Sequence, residues 1–251
     1  MQAEQLPLNV AFCSGGKDSV AQLIIAKEHN EPMDAVAFCE VMFDKKTSGE
    51  HPLHRDFVFQ KLQPFVTESI KIPFIVLHSP KTYVDYFNHI ISRGKGKWKV
   101  AGFPIPGMCA INRDCKLKAI NNFRKSHNIG CEYVGIAADE PERLSRLEGT
   151  NRKSLLAKYN CTEAQARSIC AEHGLLSPVY ELGKRNGCWF CMNCSDNEFV
   201  WLIKNRPDLF DKLIALESSQ DDPYRSCLTR TETPTQIKER LYCLTAQMCL
   251  F

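Results

Sequence analysis

Leu8-Asn9-Val10-Ala11-Phe12-Cys13-Ser14-Gly15-Gly16-Lys17-Asp18-Ser19-Val20-Ala21-Gln22-Leu23-Ile24-Ile25-Ala26 is the stretch whose reading decides the fold. The run 8–13 is short and apolar, as a buried strand is. The run from Val20 has the composition of an amphipathic helix, and it stops near Asn30-Glu31-Pro32. Between them, two adjacent glycines let the backbone turn tightly and approach a ligand. The unpaired N–H groups at the helix start, together with the helix dipole, favour an anion there. Ser14 and Ser19 add hydroxyl donors and Lys17 adds charge. Asp18 is informative because a carboxylate beside a phosphate is unfavourable unless it holds Mg²⁺ or caps the helix. Composition, order and flanking elements favour a phosphate loop over an ordinary glycine turn with an aspartate cap. The Walker A spacing, with four residues between Gly and Gly-Lys, is not met.

The same alternation continues outward. Strands are expected at 34–43, 72–77 and 132–137, and helices at about 53–67, 82–91 and 114–127. This implies an α/β fold: a mostly parallel, Rossmann-like sheet sandwiched by helices. After about residue 150 the pattern becomes helical. Thr162 and Gln165 form a capping box that opens a helix ending near His173-Gly174. A cysteine loop follows at 187–195, with helices at 196–205 and 207–218. The expected division is 1–150 for the nucleotide-binding domain and 151–251 for a small helical, cysteine-containing part. The tail from 220 has no assignment. Among 251 residues, 44% are hydrophobic and 24% charged, with 13 Gly and 13 Pro, which excludes collagen and low-complexity chains. No apolar run approaches the ~20 residues of a membrane helix. No basic segment followed by an apolar run marks a signal peptide, so a cytoplasmic location is expected.

Ser14-Gly15-Gly16-Lys17-Asp18-Ser19 resembles the PP-loop of the ATP pyrophosphatase superfamily, whose members cleave ATP between the α and β phosphates and usually adenylate a substrate. The resemblance implies an adenine nucleotide alpha-hydrolase-like fold, with phosphate bound by Ser14, Gly15, Gly16, Lys17, Asp18 and Ser19. The turn 48–52, the segment 135–144 and the stretch 174–191 look like the phosphoadenosine phosphosulfate (PAPS) reductase-like branch. On that likeness Arg143 contacts phosphate or sulfate near the strand ends. The alternative for Arg143 is a surface ion pair with Glu140 or Glu142.

Thirteen cysteines without an export signal point to metal or redox chemistry rather than a disulfide framework. Cys188, Cys191 and Cys194 stand in CxxCxxC spacing, and Cys109 lies 79 residues before Cys188. Thiolates so spaced suit an iron–sulfur cluster or structural Zn²⁺. Some reductases of the resembled branch hold a [4Fe-4S] cluster with a cysteine pair and a CxxC about 80 residues later. That likeness implies Cys109, Cys115, Cys188 and Cys191 as ligands, with Cys194 as the substitute. Here, however, the upstream pair is spread over CAINRDC rather than adjacent. Cys13, Cys39 and Cys131 fall in expected strands as core residues. Cys161, Cys170, Cys227, Cys243 and Cys249 carry no motif.

The formal charge of +3 does not by itself call for nucleic acid. Residues 93–125 nevertheless hold nine Lys and Arg against Asp114 alone, leaving −5 for the remainder. Within them, 93–99 is a cationic loop with Trp98 for base stacking. It could clamp ATP, act as a lid or contact RNA or DNA. Reductases of this branch also carry a Glu-Cys-Gly near the C-terminus. No such triplet occurs here, and nothing marks Cys243 or Cys249 as an activated thiolate. The leading expectation is an enzyme that uses ATP and Mg²⁺, releases pyrophosphate and activates an acceptor for sulfur transfer or nucleic-acid modification. A PAPS or APS reductase ranks second, and a non-catalytic nucleotide-binding, metal-stapled module third. Homodimerisation and partner proteins stay open.

Overall fold

The computed structural model describes residues 6–105, 107, 109–184 and 187–248, with the side chains of 244–248 excepted. Five parallel strands form one sheet in the order β3-β2-β1-β4-β5. They are β1 (Leu8–Phe12), β2 (Ala35–Glu40), β3 (Phe74–His78), β4 (Ile129–Tyr133) and β5 (Arg152–Lys153). The order runs outward from β1 on both sides, so the sheet has a switch point between β1 and β4, where ligands of open α/β sheets bind. Every residue of β2 is buried, as a parallel strand covered on both faces requires.

The chain folds as two compact units. One holds the described residues through Glu40, together with Pro52–His78 and Ala119–Tyr180; the other holds Val41–His51, Ser79–Lys118 and the described residues from Glu181 onward. This division does not coincide with the expected boundary at 150/151. Packing explains part of the difference. Helix α1 (Lys17–Glu28) is not the half-exposed helix that its composition suggested: all residues from Ser19 to Ala26 are buried. One side meets the sheet. The other side is covered by α6 (Leu155–Lys158) and α7 (Glu163–Glu172), so residues 152–172 complete the first unit. The capping box at Thr162 forms as expected: the Gln165 N–H donates to Thr162 Oγ1 at 3.3 Å, and the Thr162 N–H donates to Gln165 Oε1 at 2.8 Å.

Several expected boundaries shift. The helix after His51 is α2 (Pro52–Phe57), followed by two wider π-helical turns at Val58–Leu62 and Phe65–Ile70. Pro64 between them lacks the N–H that an α ladder needs. Helix α3 (Tyr83–Phe87) is shorter than 82–91 and starts at a Thr82–Asp85 capping box. A π-helical turn at Asn112–Leu117 leads into α4 (Lys118–Ser126). Strand β4 begins earlier than 132 and ends at Tyr133. Gly135 then passes so close to α1 that a Cβ there would lie 2.6 Å from the Ser19 backbone nitrogen. Beyond it α5 (Pro141–Leu144) follows.

The second unit has an aromatic core. Tyr83 and Phe190 approach to 4.0 Å between ring centroids, and Phe43 and Trp189 to 4.7 Å. Helices α8 (Asp196–Asn205) and α9 (Pro207–Ser218) match expectation, and α10 (Pro234–Met248) supplies the structure that the tail lacked in the sequence. Among the described residues, no helix is long and apolar enough to cross a membrane.

Asp44 ties the segment after Phe43 to α9. It accepts from the Lys46 and Thr47 backbone N–H groups and pairs with Lys212 at 2.9 Å. Burial alone would raise its pKa, but these donors outweigh it and hold the carboxyl at about 2. The folded value lies below the ordinary one, so the stabilisation is present above about pH 4 and is lost as pH falls toward 2. Asp44→Asn is therefore expected to melt lower than wild type at pH 7, with the difference in melting temperature closing as pH approaches 2.

Candidate functional site

The phosphate loop sits between β1 and α1 and is held from below by His54. Gly15 has φ +73°, and a Cβ there would lie 2.7 Å from His54 Cε1 and 2.9 Å from Val58 Cγ2. This is a position only glycine fills without strain. Because the Ser14 carbonyl can only accept, His54 donates to it through Nε2, at 3.0 Å. His54 Nδ1 lies 2.9 Å from the Ser177 hydroxyl, in position to accept from it. Gly16 caps α1 with φ −75° and ψ 155°, an extended conformation open to any residue, so backbone strain is specific to Gly15.

Internal hydrogen bonds shape the loop. The Gly15 N–H donates to Cys13 Sγ at 3.4 Å, the Gly16 N–H to Ser14 Oγ at 3.3 Å, and the Lys17 N–H to the Tyr180 hydroxyl at 3.0 Å. Ser19 donates to the Gly16 carbonyl at 2.9 Å. Lys17 Nζ meets Asp18 at 2.8 Å and Glu163 at 3.2 Å. Burial works to lower the Lys17 pKa, but Asp18 and then Glu163 outweigh it and raise it. Burial raises the Asp18 pKa, Lys17 opposes this, and the charges of Glu163 and Glu140 reinforce it. The two shifts differ in origin: carboxylate neighbours raise Lys17 against burial, whereas burial comes first in raising Asp18.

A cavity of about 340 Å³ opens at the C-terminal ends of β1 and β4. Ser14 and Ser19 line it, with Phe12 and residues 134–136. Arg143, Arg146 and Arg152 also line it. The structure thus brings the expected Arg143 to the same cavity as two loop hydroxyls. The alternative expected for Arg143 is met as well, since it pairs with Glu140 at 2.5 Å. Arg152 pairs with Glu132, whereas Arg146 has no ion-pair partner among the described residues. Sequence reasoning missed Arg146, Arg152, His54, Ser177, Tyr180 and Glu163. The clustering of arginines at 143, 146 and 152 in the stretch after β4 was a usable signal. His54 and Tyr180 had none, because their partners lie 40 and 163 residues away.

The cysteine loop belongs to the second unit. Trp189 is 1% exposed, donates through Nε1 to the Ser48 carbonyl at 2.8 Å, and anchors the loop with Phe190. Cys188, Cys191 and Cys194 are half-buried around one turn, where the Cys191 and Cys194 N–H groups donate to the Cys188 and Cys191 carbonyls, each at 3.0 Å. Cys109 is exposed and lies within electrostatic range of Cys188 and Cys115. Cys115 is different: it is wholly buried in the aromatic core, and burial pushes its thiol to about 12. Among the described residues, no group of three or more His, Cys, Asp or Glu side chains is arranged to hold a metal ion. Cys249 lies outside the described residues.

The first unit thus defines a fold class: a parallel α/β sheet with a glycine loop and arginines meeting at its switch point. No family model matches the chain, and no curated protein matches it. Among solved structures, the chain is similar to U34-tRNA thiolase NcsA from Methanococcus maripaludis with its [4Fe-4S] cluster. The likeness covers 84% of this chain and 71% of that one, at 14% identity and a TM-score of 0.43.

The two loop glycines are expected to respond differently. Gly15→Ala should lose about 1–3 kcal/mol of stability in denaturant unfolding, from backbone strain and the clash with His54. Gly16→Ala should lose less than Gly15→Ala does, since its backbone carries no left-handed strain.

Proposed function

We propose that the chain is a PP-loop enzyme that binds ATP with Mg²⁺ and cleaves it at the α-phosphate, releasing pyrophosphate to activate an acceptor for sulfur transfer or nucleotide modification. The observation that carries this reading is the meeting of Ser14 and Ser19 with Arg143, Arg146 and Arg152 in one cavity at the switch point. The three guanidiniums and Lys17 would stabilise charge developing on the phosphates. The carboxylate excess around Lys17 suits a divalent cation beside Asp18. Arg143, held by Glu140, is aimed without loss of its remaining donors. Purified protein with α-labelled ATP and Mg²⁺ should give AMP or an adenylated product plus pyrophosphate; ADP and phosphate would reject the proposal.

Asp18→Asn separates chemistry from folding. The folded-state pKa of Asp18 is raised, so its ionisation costs stability as pH rises through the carboxylate range. Asparagine removes that cost, and the variant should melt no lower than wild type at pH 7, with the difference closing in acid. Turnover should fall at least ~10²-fold, about 2.7 kcal/mol of barrier. Unchanged turnover would reduce Asp18 to a helix-terminal residue.

The thiol chemistry at 188–194 fits a soft metal centre. The candidate ligands for a [4Fe-4S] cluster are Cys109, Cys188, Cys191 and Cys194, which would have to draw together to hold it, with Zn²⁺ as the alternative; Cys115 is buried in the aromatic core. When bound, a cluster of this kind supplies iron at which sulfur can be held. Anaerobically purified protein should be brown and contain about four irons per chain, and Cys188→Ser or Cys191→Ser should lose both. Colourless protein with about one zinc would replace the cluster with a structural site.

A further inference from the structure

The cationic loop at 93–99 is built rather than merely solvated. Ile90 and Val100 form an antiparallel bridge, the Ile91 N–H donates to the Lys99 carbonyl at 3.0 Å, and the Trp98 N–H donates to the Ile91 carbonyl at 2.9 Å. The 222–225 segment braces it. The Tyr224 N–H donates to the Val100 carbonyl at 2.7 Å, and Gly96 lies so close that a Cβ would be 2.6 Å from the Tyr224 ring. Lys99 pairs with Asp222 at 2.6 Å. Arg93, Lys95 and Lys97 have no ion-pair partner among the described residues and are exposed.

Trp98 sits at the centre of this hairpin with φ +72°, a left-handed conformation that is rare for a bulky residue and that strains the backbone. Its indole is 74% exposed, although burial is what normally repays so large an apolar ring. Lys97 Nζ lies 4.9 Å from the ring centroid. Strain and exposure together are explained by a ring kept available for an outside partner.

We infer that the hairpin 90–100 is a stacking platform for unpaired nucleic acid, with a base on the Trp98 indole and neighbouring phosphates on Arg93, Lys95 and Lys97. Ring stacking takes any base face, and the three cations follow the backbone. A membrane-inserting tip fits less well, because it would carry the Lys97 ammonium into hydrocarbon with the ring. The inference stands apart from the ATP chemistry and is tested without nucleotide, so failure to release pyrophosphate leaves it intact.

The test is titration with a fluorescein-labelled dodecauridylate at several salt concentrations. The expected result is binding with a log–log salt slope of about −2, from three cations on a single strand. Trp98→Asn, which suits the left-handed backbone and so keeps the fold, should weaken binding about 5- to 150-fold. Trp98→Tyr should restore most of it. Changing Arg93, Lys95 and Lys97 together to Ala should bring the slope near zero, whereas Lys99→Ala should leave it unchanged. Equal binding by folded Trp98→Asn would overturn the inference. So would equal affinity for a duplex of the same length, or binding to phosphatidylserine vesicles in place of the strand.

Discussion

The contact on which the first unit's glycine loop depends is that of His54 against it. Its imidazole donates to the Ser14 carbonyl, faces the Ser177 hydroxyl, and fills the space where a Gly15 side chain would stand. One buried ring thus braces a loop whose own side-chain-accepted amide bonds, from Ser14, Gly15 and Gly16, are long, at 3.3 to 3.4 Å. It also links three distant stretches: the loop, α2 and the 175–180 segment. The left-handed backbone at Gly15 persists because its surroundings over-determine it.

What the sequence disclosed follows from how local each signal is. The strand–glycine–helix order at 8–26, the Thr162 capping box and the paired helices at 196–218 are written in neighbouring residues, and all appear where expected. Arg143 was picked out through the likeness of the segment 135–144 to a known branch. The burial of α1 on its outer side was not legible, because it depends on α6 and α7, more than a hundred residues later. The end of β4 was also hidden: Val134-Gly135-Ile136 reads as strand, yet Gly135 instead lies against the Ser19 backbone, from the other end of the sequence. The cysteine spacing was plain, but spacing cannot distinguish Cys115, buried in an aromatic core, from the half-buried thiols of 188–194.

Electrostatics divides the site into two fields. Around Lys17, carboxylates exceed cations; at the cavity mouth, three arginines exceed them in the opposite sense. A polyphosphate carrying its own divalent cation matches both fields at once, whereas a bare anion or a bare metal matches only one. This local arrangement is a firmer guide to ligand class than the formal charge of +3, which sums the whole chain.

The phenol of Tyr180 gives the loop a further property. In the state described, the amides of Gly15, Gly16 and Lys17 are all already engaged, with a thiol, a hydroxyl and a phenol respectively. Occupation of the loop by an oxyanion is therefore an exchange, in which neutral acceptors leave the amides and charged ones replace them. Only the difference between the two sets contributes to affinity. A small ion that gains one such exchange is held feebly, while a chain of linked phosphates that gains several in a single event is held well. The engaged amides thus set a condition on any anion the loop takes: it must replace the thiol, the hydroxyl and the phenol with stronger acceptors.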